Sequence, residues 1–376
     1  MTLVVNTSTT INGDQPPGTG VAIDYGADNI TVTINTAVGV VSLDNSAITS
    51  SRSGSILVNV GNIASLASAV RFSGANGFIQ NESGRYITGA GGIEVNGSVE
   101  TISNFGNIVG LTEAGVVFGL LSSAVTLTNR GDIYGRDEGV FAASMAGGGQ
   151  INNEGSIRSD TVGIFVGGGT LPTFIINSGT ISGTDVSIRT VGTAAIGVTN
   201  TGTLNGSISC ALATGNDEIF NSGTINGVVA LGDGNDIFNG IGGKSGAIFG
   251  HGGNDSLIGG KGGDILWGGD DLDIFKFVKV KETGKGANRD VIMDFGDVVG
   301  EKIDLIDIDA KKGPGNQDFK FIGGQKFHHK AGELHMLNKS GFVLIEGDIN
   351  GDGKADFQIE VHGLGLPDKG DFLGVF

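Results

Sequence analysis

Aspartates that recur at a fixed spacing among glycines are the residues of this sequence best suited to binding a cation. Three contiguous copies of a nine-residue unit, Gly-Gly-x-Gly-x-Asp-x-apolar-x, cover residues 250–276, a further copy lies at 231–239, and residues 212–220 fit its second half. The glycines let the backbone turn with positive φ so that carbonyl oxygens can point at a common centre. The aspartate adds a hard anionic oxygen, and Ca²⁺ takes six to eight such ligands in irregular geometry. Each unit therefore predicts half a calcium site followed by one very short strand.

The aspartates fall into register when the chain is read two units at a time. Their intervals of 19, 19 and 18 residues predict one calcium ladder along one edge of a roll, with successive aspartates one coil apart. The members of this first edge are Asp217, Asp236, Asp255 and Asp273. All the residues of these repeats that the pattern assigns to calcium are Asp217, Gly232, Gly234, Asp236, Gly253, Asp255, Gly260, Gly262, Asp264 and Asp273.

The opposite edge of the predicted roll is poor in carboxylates. Residues 221–230 offer only Asn226, and the next turn has Gly246 where an aspartate is expected. Asp264 is acidic, but the residue eighteen positions later is Glu282, beyond the regular repeats. We therefore expect any calcium site on the second edge to be irregular. The apolar residue of each unit should point into a thin core: Ile219, Phe238, Leu257, Leu266 and Phe275.

These units resemble the repeats-in-toxin (RTX, hemolysin-type) calcium β-roll of bacterial type I secretion substrates. In that family two nonapeptides make one coil, and calcium lies between stacked turns. The segments 289–310, 319–324, 332–337 and 344–363 further resemble the C-terminal module of serralysin-type metalloproteases. The resemblance covers roughly residues 210–376 and implies several bound Ca²⁺ ions. It does not extend to the protease, because the sequence contains no His-Glu-x-x-His.

Two other constellations in the last hundred residues could bind metal. Asp348, Asn350, Asp352 and Asp356 alternate as in the first half of an EF-hand loop, but Ile359 replaces the bidentate acid. A tight Asp-rich turn between strands is an equal alternative. The run "HHKAGELH" at 328–335 suggests zinc, yet its spacing fits no helical metal motif, and a strand formed around "GEL" accounts for it.

The first 225 residues must provide the scaffold, and they carry a second repeat. The pattern apolar-x-Asn-x-Gly-x-apolar recurs about every 23 residues, with β-branched residues between glycine turns and no helical stretch. This period favours a parallel β-helix with inward columns of Ile and Val. Asparagines at the turns can hydrogen-bond along the stack. The repeated asparagines are Asn59, Asn81, Asn104, Asn129, Asn153, Asn177, Asn200 and Asn221.

Composition and charge exclude several classes of partner. The 376 residues include 70 glycines and carry a net charge of −17, so no basic surface is available to neutralise nucleic-acid phosphates. Cys210 is the single cysteine, which excludes an internal disulfide. No apolar stretch approaches the roughly 18 residues that suggest a transmembrane helix, so we expect no membrane span.

The two ends of the sequence bear on export. The opening "MTLVVNTSTTING" has no positive segment followed by an apolar one, so we expect no Sec signal peptide. The ending "DFLGVF" at 371–376 resembles the uncleaved C-terminal signals of type I secretion substrates. This resemblance implies an extracellular bacterial protein that leaves the cell through a type I secretion apparatus.

Together these patterns predict an all-β fold in which a right-handed parallel β-helix continues into a calcium-binding parallel β-roll, with a small β-rich C-terminal cap. The expected domains are 1–210 (β-helix), 211–280 (calcium roll) and 281–376 (cap and secretion signal). The expected function is a calcium-stabilised, non-catalytic role in extracellular structure, adhesion or surface interaction, with a polysaccharide or a host surface as the open partner class. The alternative is a polysaccharide-active enzyme similar to mannuronan epimerases or lyases, but residues 1–210 contain no histidine or clustered catalytic site.

Overall fold

In the computed structural model the described residues are 3–11, 15–18, 22–36, 38–97, 99–121, 124–145, 148–296, 298–365 and 367–376, and almost all of their regular structure is β-strand. The chain forms two compact units, Met1–Ile208 and Ser209–Phe376. Both are built from parallel strands that stack coil upon coil. The predicted all-β parallel solenoid is confirmed.

The first unit is a solenoid with three strands per coil. Strands three apart in chain order pair in parallel, which produces three columns, and β24 is long enough to serve two of them. The strands are β1 (Leu3–Val5), β2 (Thr9–Ile11), β3 (Gln15–Gly18), β4 (Ile23–Tyr25), β5 (Thr31–Ile34), β6 (Gly39–Ser42), β7 (Ile48–Ser50), β8 (Ile56–Asn59), β9 (Asn62–Ser65), β10 (Val70–Phe72), β11 (Gly77–Asn81), β12 (Tyr86–Gly89), β13 (Ile93–Val95), β14 (Val99–Asn104), β15 (Asn107–Gly110), β16 (Val116–Leu121), β17 (Val125–Asn129), β18 (Asp132–Gly135), β19 (Glu138–Met145), β20 (Gly149–Asn153), β21 (Ser156–Ser159), β22 (Val162–Val166), β23 (Thr173–Asn177), β24 (Thr180–Gly192) and β25 (Ile196–Asn200).

Alternation of apolar and polar residues along these short strands builds the core of the first unit. Side chains on a strand point to opposite faces in turn, so one register buries every second residue. The column of β8, β11, β14, β17, β20, β23 and β25 stacks one aliphatic residue per coil on the next, each fully buried. These residues are Leu57, Ile79, Ile102, Leu127, Ile151, Ile175 and Val198.

Seven of the eight repeated asparagines form a hydrogen-bonded stack, which we call the asparagine ladder (Asn59, Asn81, Asn104, Asn129, Asn153, Asn177 and Asn200). Each Nδ2 of the first six donates to the Oδ1 of the asparagine in the next coil, over 2.7–2.9 Å. All seven side chains are at most 1% exposed. An amide can stack in this way because it carries both a donor and an acceptor.

The second unit stacks parallel strands two to a coil and ends in an antiparallel sheet of β38, β39 and β40. One helical turn, α1 (Val280–Thr283), and the 3-10 turns Gly286–Asn288 and Lys369–Asp371 interrupt it. The remaining strands are β26 (Thr203–Ala213), β27 (Glu218–Asn221), β28 (Thr224–Ile225), β29 (Val229–Asp233), β30 (Ile237–Asn239), β31 (Ile248–Gly252), β32 (Ser256–Ile258), β33 (Ile265–Asp270), β34 (Ile274–Lys276), β35 (Asp290–Ile292), β36 (Lys302–Asp304), β37 (Lys320–Phe321), β38 (Glu333–Asn338), β39 (Val343–Asp348), β40 (Phe357–Val361) and β41 (Phe372–Leu373).

The thin core of the second unit holds the apolar residues that the nine-residue pattern assigns to it. The column of β27, β30, β32, β34, β36 and β41 is parallel throughout, and each of its strands places one buried apolar side chain on the next. Leu266 of β33 is buried on the facing column. The residues of the first column are Ile219, Phe238, Leu257, Phe275, Ile303 and Phe372.

Candidate metal centre

The four aspartates of the first edge form one stacked column, which we call the aspartate column (Asp217, Asp236, Asp255 and Asp273). Each precedes a strand of the same parallel column, so the strand register places them directly above one another. The backbone N–H of each of the first three donates to the Oδ1 of the aspartate in the next coil, over 2.6, 2.8 and 2.9 Å. The nineteen- and eighteen-residue spacing is thus one coil of the roll.

The second carboxylate oxygens of this column define the candidate metal centre. Oδ2 of Asp236, Asp255 and Asp273 is buried and accepts no hydrogen bond from the described residues. A Cβ at Gly250 or at Gly268 would collide with the Oδ2 of Asp255 or of Asp273, so glycine lets the carboxylate pack closely at these two positions. Buried carboxylate oxygens without a donor are costly unless a cation compensates them. These orphaned oxygens fit the hard, oxygen-seeking Ca²⁺.

The pKa values of the aspartate column also show that burial destabilises the charged carboxylates. Burial raises the pKa of Asp236 to about 7, of Asp255 to about 8 and of Asp273 to about 7, and neighbouring carboxylates raise them further. The backbone N–H donated to each carboxylate opposes this rise only in part. Below about pH 7 the metal-free folded roll therefore favours the protonated, uncharged acids.

Most of the glycines assigned to calcium adopt the predicted backbone. Gly232, Gly234, Gly253 and Gly262 have φ of 102°, 141°, 111° and 112°, a region that side chains disfavour. Gly260 contributes differently: its N–H donates to Oδ2 of Asp264 over 2.7 Å.

The second edge is irregular, as expected, but its partner carboxylate is not Glu282. The N–H of Asp264 donates to Oδ1 of Asp290 over 2.9 Å, because α1 and the 3-10 turn Gly286–Asn288 lengthen this coil to 26 residues. Burial raises the pKa of Asp290 to about 9, and the charges of Asp264 and Glu282 add to the shift. The eighteen-residue spacing did not identify Asp290. The signal available in the sequence was the apolar pair Val291 and Ile292, which follows Asp290 and pairs with β33.

The aspartate column also continues into a residue that the repeat did not identify. The N–H of Lys302 donates to the backbone O of Asp273 over 2.9 Å, so Glu301 occupies the next step of the column. Glu301 is 1% exposed and its carboxylate accepts the N–H of Gly296. Beside it, the carboxylate of Asp294 accepts the N–H groups of the turn at 268–269, over 3.0 and 2.9 Å.

Within the described ranges, no group of three or more His, Cys, Asp or Glu side chains is arranged to hold a metal ion. In the aspartate column each interval between coils presents two carboxylates. The other ligands of a bound cation would have to be backbone carbonyl oxygens of the glycine turns. This division of ligands is compatible with Ca²⁺, which accepts backbone carbonyls alongside carboxylates.

The EF-hand-like segment is a self-contained turn between β39 and β40. The carboxylate of Asp348 accepts the N–H of Gly351 and of Gly353, over 2.7 and 2.8 Å. Oδ2 of Asp356 accepts the N–H groups of residues 349 and 350, and Oδ1 accepts Nδ2 of Asn350 over 3.0 Å. Asp352 likewise accepts the N–H of Lys354. The tight-turn interpretation accounts for these contacts, so this loop does not enter the calcium proposal.

The histidines of 328–335 do not converge on one centre. Nδ1 of His328 contacts Glu333 at 2.9 Å, whereas Nε2 of the buried His335 contacts Glu346 at 2.7 Å. Nδ1 of His329 lies 3.1 Å from the backbone O of Asp352. His335 lies in β38, the strand formed around "GEL". The hydrogen bond to Glu346 raises the pKa of His335 despite its burial, which lowers it.

Comparison with known proteins gives no identity: no family model matches the chain, and no curated protein matches it. None of the helices in the described ranges has the length and apolar character needed to span a membrane.

Proposed function

We propose that this protein is a calcium-stabilised structural solenoid of the RTX type that folds and works outside the cell. The observation that carries the proposal is the aspartate column, in which three stacked, buried carboxylates each keep one oxygen without a hydrogen-bond donor. Support also comes from the glycines at positive φ in the same turns. The role we assign is non-catalytic, in extracellular structure, adhesion or surface interaction.

Asp236, Asp255 and Asp273 would hold the cation, with backbone carbonyls of the glycine turns as further ligands. Bound Ca²⁺ supplies positive charge that offsets the repulsion between carboxylates and the cost of their burial. The orientation of these carboxylates is set without the ion, because each Oδ1 already accepts a backbone N–H from the neighbouring coil.

Calcium dependence would also couple folding to location. Extracellular calcium modules bind with dissociation constants of roughly 10⁻⁴–10⁻³ M, so cytosolic calcium would leave such sites empty. The second unit would then remain export-competent in the cytosol and fold after release. We therefore include export by a type I secretion apparatus in the proposal.

The alternative of a polysaccharide-active enzyme gains no support from Asp132 and Asp160, two acids of the first unit. Asp132 forms a two-pronged ion pair with Arg158, at 3.0 and 2.7 Å. Oδ2 of Asp160 accepts the hydroxyl of Tyr134 over 3.0 Å. These are surface contacts between neighbouring coils, and they place no free base opposite an acid.

The proposal is tested by counting bound calcium and measuring thermal unfolding of the full chain in calcium, in magnesium and in EDTA. Each site filled at 100 times its dissociation constant adds about 2.7 kcal/mol to the free energy of unfolding. We expect several bound Ca²⁺ ions and a higher unfolding temperature in calcium than in magnesium or EDTA. A chain that binds no calcium and unfolds identically in all three would refute the proposal.

A further inference from the structure

An open groove of about 340 Å³ lies on the roll beside the aspartate column, lined by aromatic and acidic side chains. Phe249 and Trp267 occupy equivalent positions of β31 and β33, and their rings are nearly parallel, with centroids 6.0 Å apart. The ring of His251 lies 6.0 Å from that of Phe249. We call this surface, with Asp233 and Asp270, the aromatic groove.

The charge of the aromatic groove has one sign. Asp233 and Asp270 are exposed, and neither makes an ion pair or a side-chain hydrogen bond with the residues that the structure describes. Strand register places them two coils apart with Gly252 between them, which is about 10 Å at about 4.8 Å per coil. No lysine or arginine is found among the described lining residues. The groove therefore disfavours anions and favours a positively charged group.

His251 adds a second observation on the aromatic groove, its backbone conformation. Its φ of 83° lies in the left-handed region, where a side chain is strained. The equivalent residues in the coils before and after are glycines, Gly232 and Gly269, with φ of 102° and 106°. A histidine in place of glycine costs the roll stability and adds an aromatic ring to the groove. Such strained residues cluster at functional sites.

We propose that the aromatic groove binds an organic ammonium ion between the carboxylates of Asp233 and Asp270 and against the rings of Phe249, His251 and Trp267. Aromatic faces attract ammonium groups through their quadrupole, and they recognise quaternary ammonium ligands in this way. A hydrated Ca²⁺ ion prefers oxygen ligands to aromatic faces, and an anion would be repelled by the two carboxylates. The volume lies at the small end of ligand pockets and suits a single head group.

The ammonium group could come from a choline-type head group or from an amine-bearing sugar, which share this chemistry. The site goes beyond calcium stabilisation, although it requires the folded roll and so rests on that proposal. Circular dichroism in saturating calcium separates the two. An unfolded chain at that stage would contradict the calcium proposal before any ligand is added.

Trp267 is the only tryptophan of the chain, so its fluorescence reports directly on the aromatic groove. The folded, calcium-saturated full chain is titrated with choline chloride and with glucosamine hydrochloride. Glucose, sodium glucuronate and sodium chloride at matched ionic strength serve as controls. We expect a saturable change with at least one of the two ammonium compounds, with a dissociation constant on the order of millimolar, and none with the controls.

Three variants test the residues of the aromatic groove, and a fourth serves as a control. Asp233→Asn combined with Asp270→Asn should weaken binding roughly tenfold, and Phe249→Leu roughly two- to fivefold. His251→Gly should weaken binding while keeping or raising the unfolding temperature, because it relieves the positive φ. A merely structural histidine would change stability and leave affinity alone. Asp318→Asn, an exposed aspartate outside the groove, is the matched control and should change neither.

Each outcome of the titration bears on the proposal. Binding of choline alone supports a quaternary head group, and binding of glucosamine alone supports an amine-bearing sugar. No saturable change with either compound would overturn the proposal. An equal response to glucose, or an unchanged affinity in the double aspartate variant, would overturn it as well.

Discussion

Asparagine and aspartate form similar columns in the two units, yet the two side chains differ in hydrogen-bonding capacity. The amide of Asn129 accepts from Asn104 and donates to Asn153, so the asparagine ladder satisfies itself. A carboxylate only accepts. Asp255 therefore takes one backbone N–H on Oδ1 and leaves Oδ2 without a donor. This difference is why the second column, and not the first, calls for a cation.

Replacing one amide of the asparagine ladder by a carboxylate should expose this difference. In the Asn129→Asp variant a carboxylate oxygen replaces the Nδ2 that donates to Oδ1 of Asn153, so two acceptors face each other. The substitution also buries a negative charge at a place where we propose no cation site. We expect a loss of about 3 kcal/mol in the free energy of unfolding, measured by urea titration in calcium with far-UV circular dichroism. Asn152→Asp, on the outer face of the neighbouring strand β20, is the control and should stay within about 0.5 kcal/mol. Equal effects of both substitutions would contradict the ladder's role.

The opposite replacement in the aspartate column should have an effect that changes sign with calcium. In EDTA at pH 8, Asp255→Asn removes a buried charge and keeps an acceptor for the N–H of Asp236, so the variant should unfold at a higher temperature than wild type. In saturating calcium it loses a ligand and should unfold at a lower temperature. The calcium midpoint of folding should rise about tenfold, equivalent to about 1.4 kcal/mol.

Asp264→Asn, on the edge with a single aspartate pair, should shift this calcium midpoint less than Asp255→Asn does. Asp318→Asn, an exposed control, should leave it unchanged. Equal midpoints for the Asp255 and Asp264 variants would argue against a ladder concentrated on the first edge.

At the scale of the strand columns, the sequence predicts which residues stack only where equivalent residues recur at a constant spacing. The asparagine ladder and the first edge of the roll follow from spacing, because each coil there repeats at nearly constant length. The constant spacing does not predict Asp290 and Glu301, because their coils contain inserted segments such as α1. Inserted loops cost little closure entropy, so the strand beyond them can return to register at almost any length. Only the buried residues aligned with earlier coils, such as Ile303, mark that return.

The aromatic groove lay beyond sequence reasoning for a different reason. Phe249 and Trp267 each follow the inward apolar residue of a repeat, but the sequence does not show that they share a groove with Asp233 and Asp270 until the register is known. The positive φ of His251 is likewise a property of the fold.

The stability of the metal-free roll should fall as the pH rises. The folded-state pKa values of Asp236, Asp255 and Asp273, about 7 to 8, lie above the ordinary value of 3.8. Between about pH 4 and pH 8 the folded chain therefore binds more protons than the unfolded chain, and stability is lost across this window. Calcium bound as proposed would keep the carboxylates charged and offset the loss.

Thermal unfolding in EDTA and in calcium, at pH 5 and at pH 8, checks this pH dependence. The increase in unfolding temperature produced by calcium should be larger at pH 8 than at pH 5. Using the difference between calcium and EDTA at each pH cancels the titration of other groups, among them His335. A metal-free chain that is more stable at pH 8 than at pH 5 would contradict the role given to the aspartate column.

At the scale of the whole molecule, the two units should respond differently to calcium. The first unit has a buried aliphatic core and an asparagine ladder that needs no ion, whereas the second has a thin core and buried carboxylates. Amide hydrogen exchange read by mass spectrometry reports local opening in each unit separately. This makes it the most direct test of the central claim that calcium stabilises the roll.

The decisive measurement is hydrogen exchange of the full chain at pH 8, in calcium and in EDTA. We predict that peptides from residues 3–200 keep their protection in EDTA, while those from 212–304 lose it and regain it when calcium is restored. Protection of 212–304 that is the same with and without calcium would contradict the account.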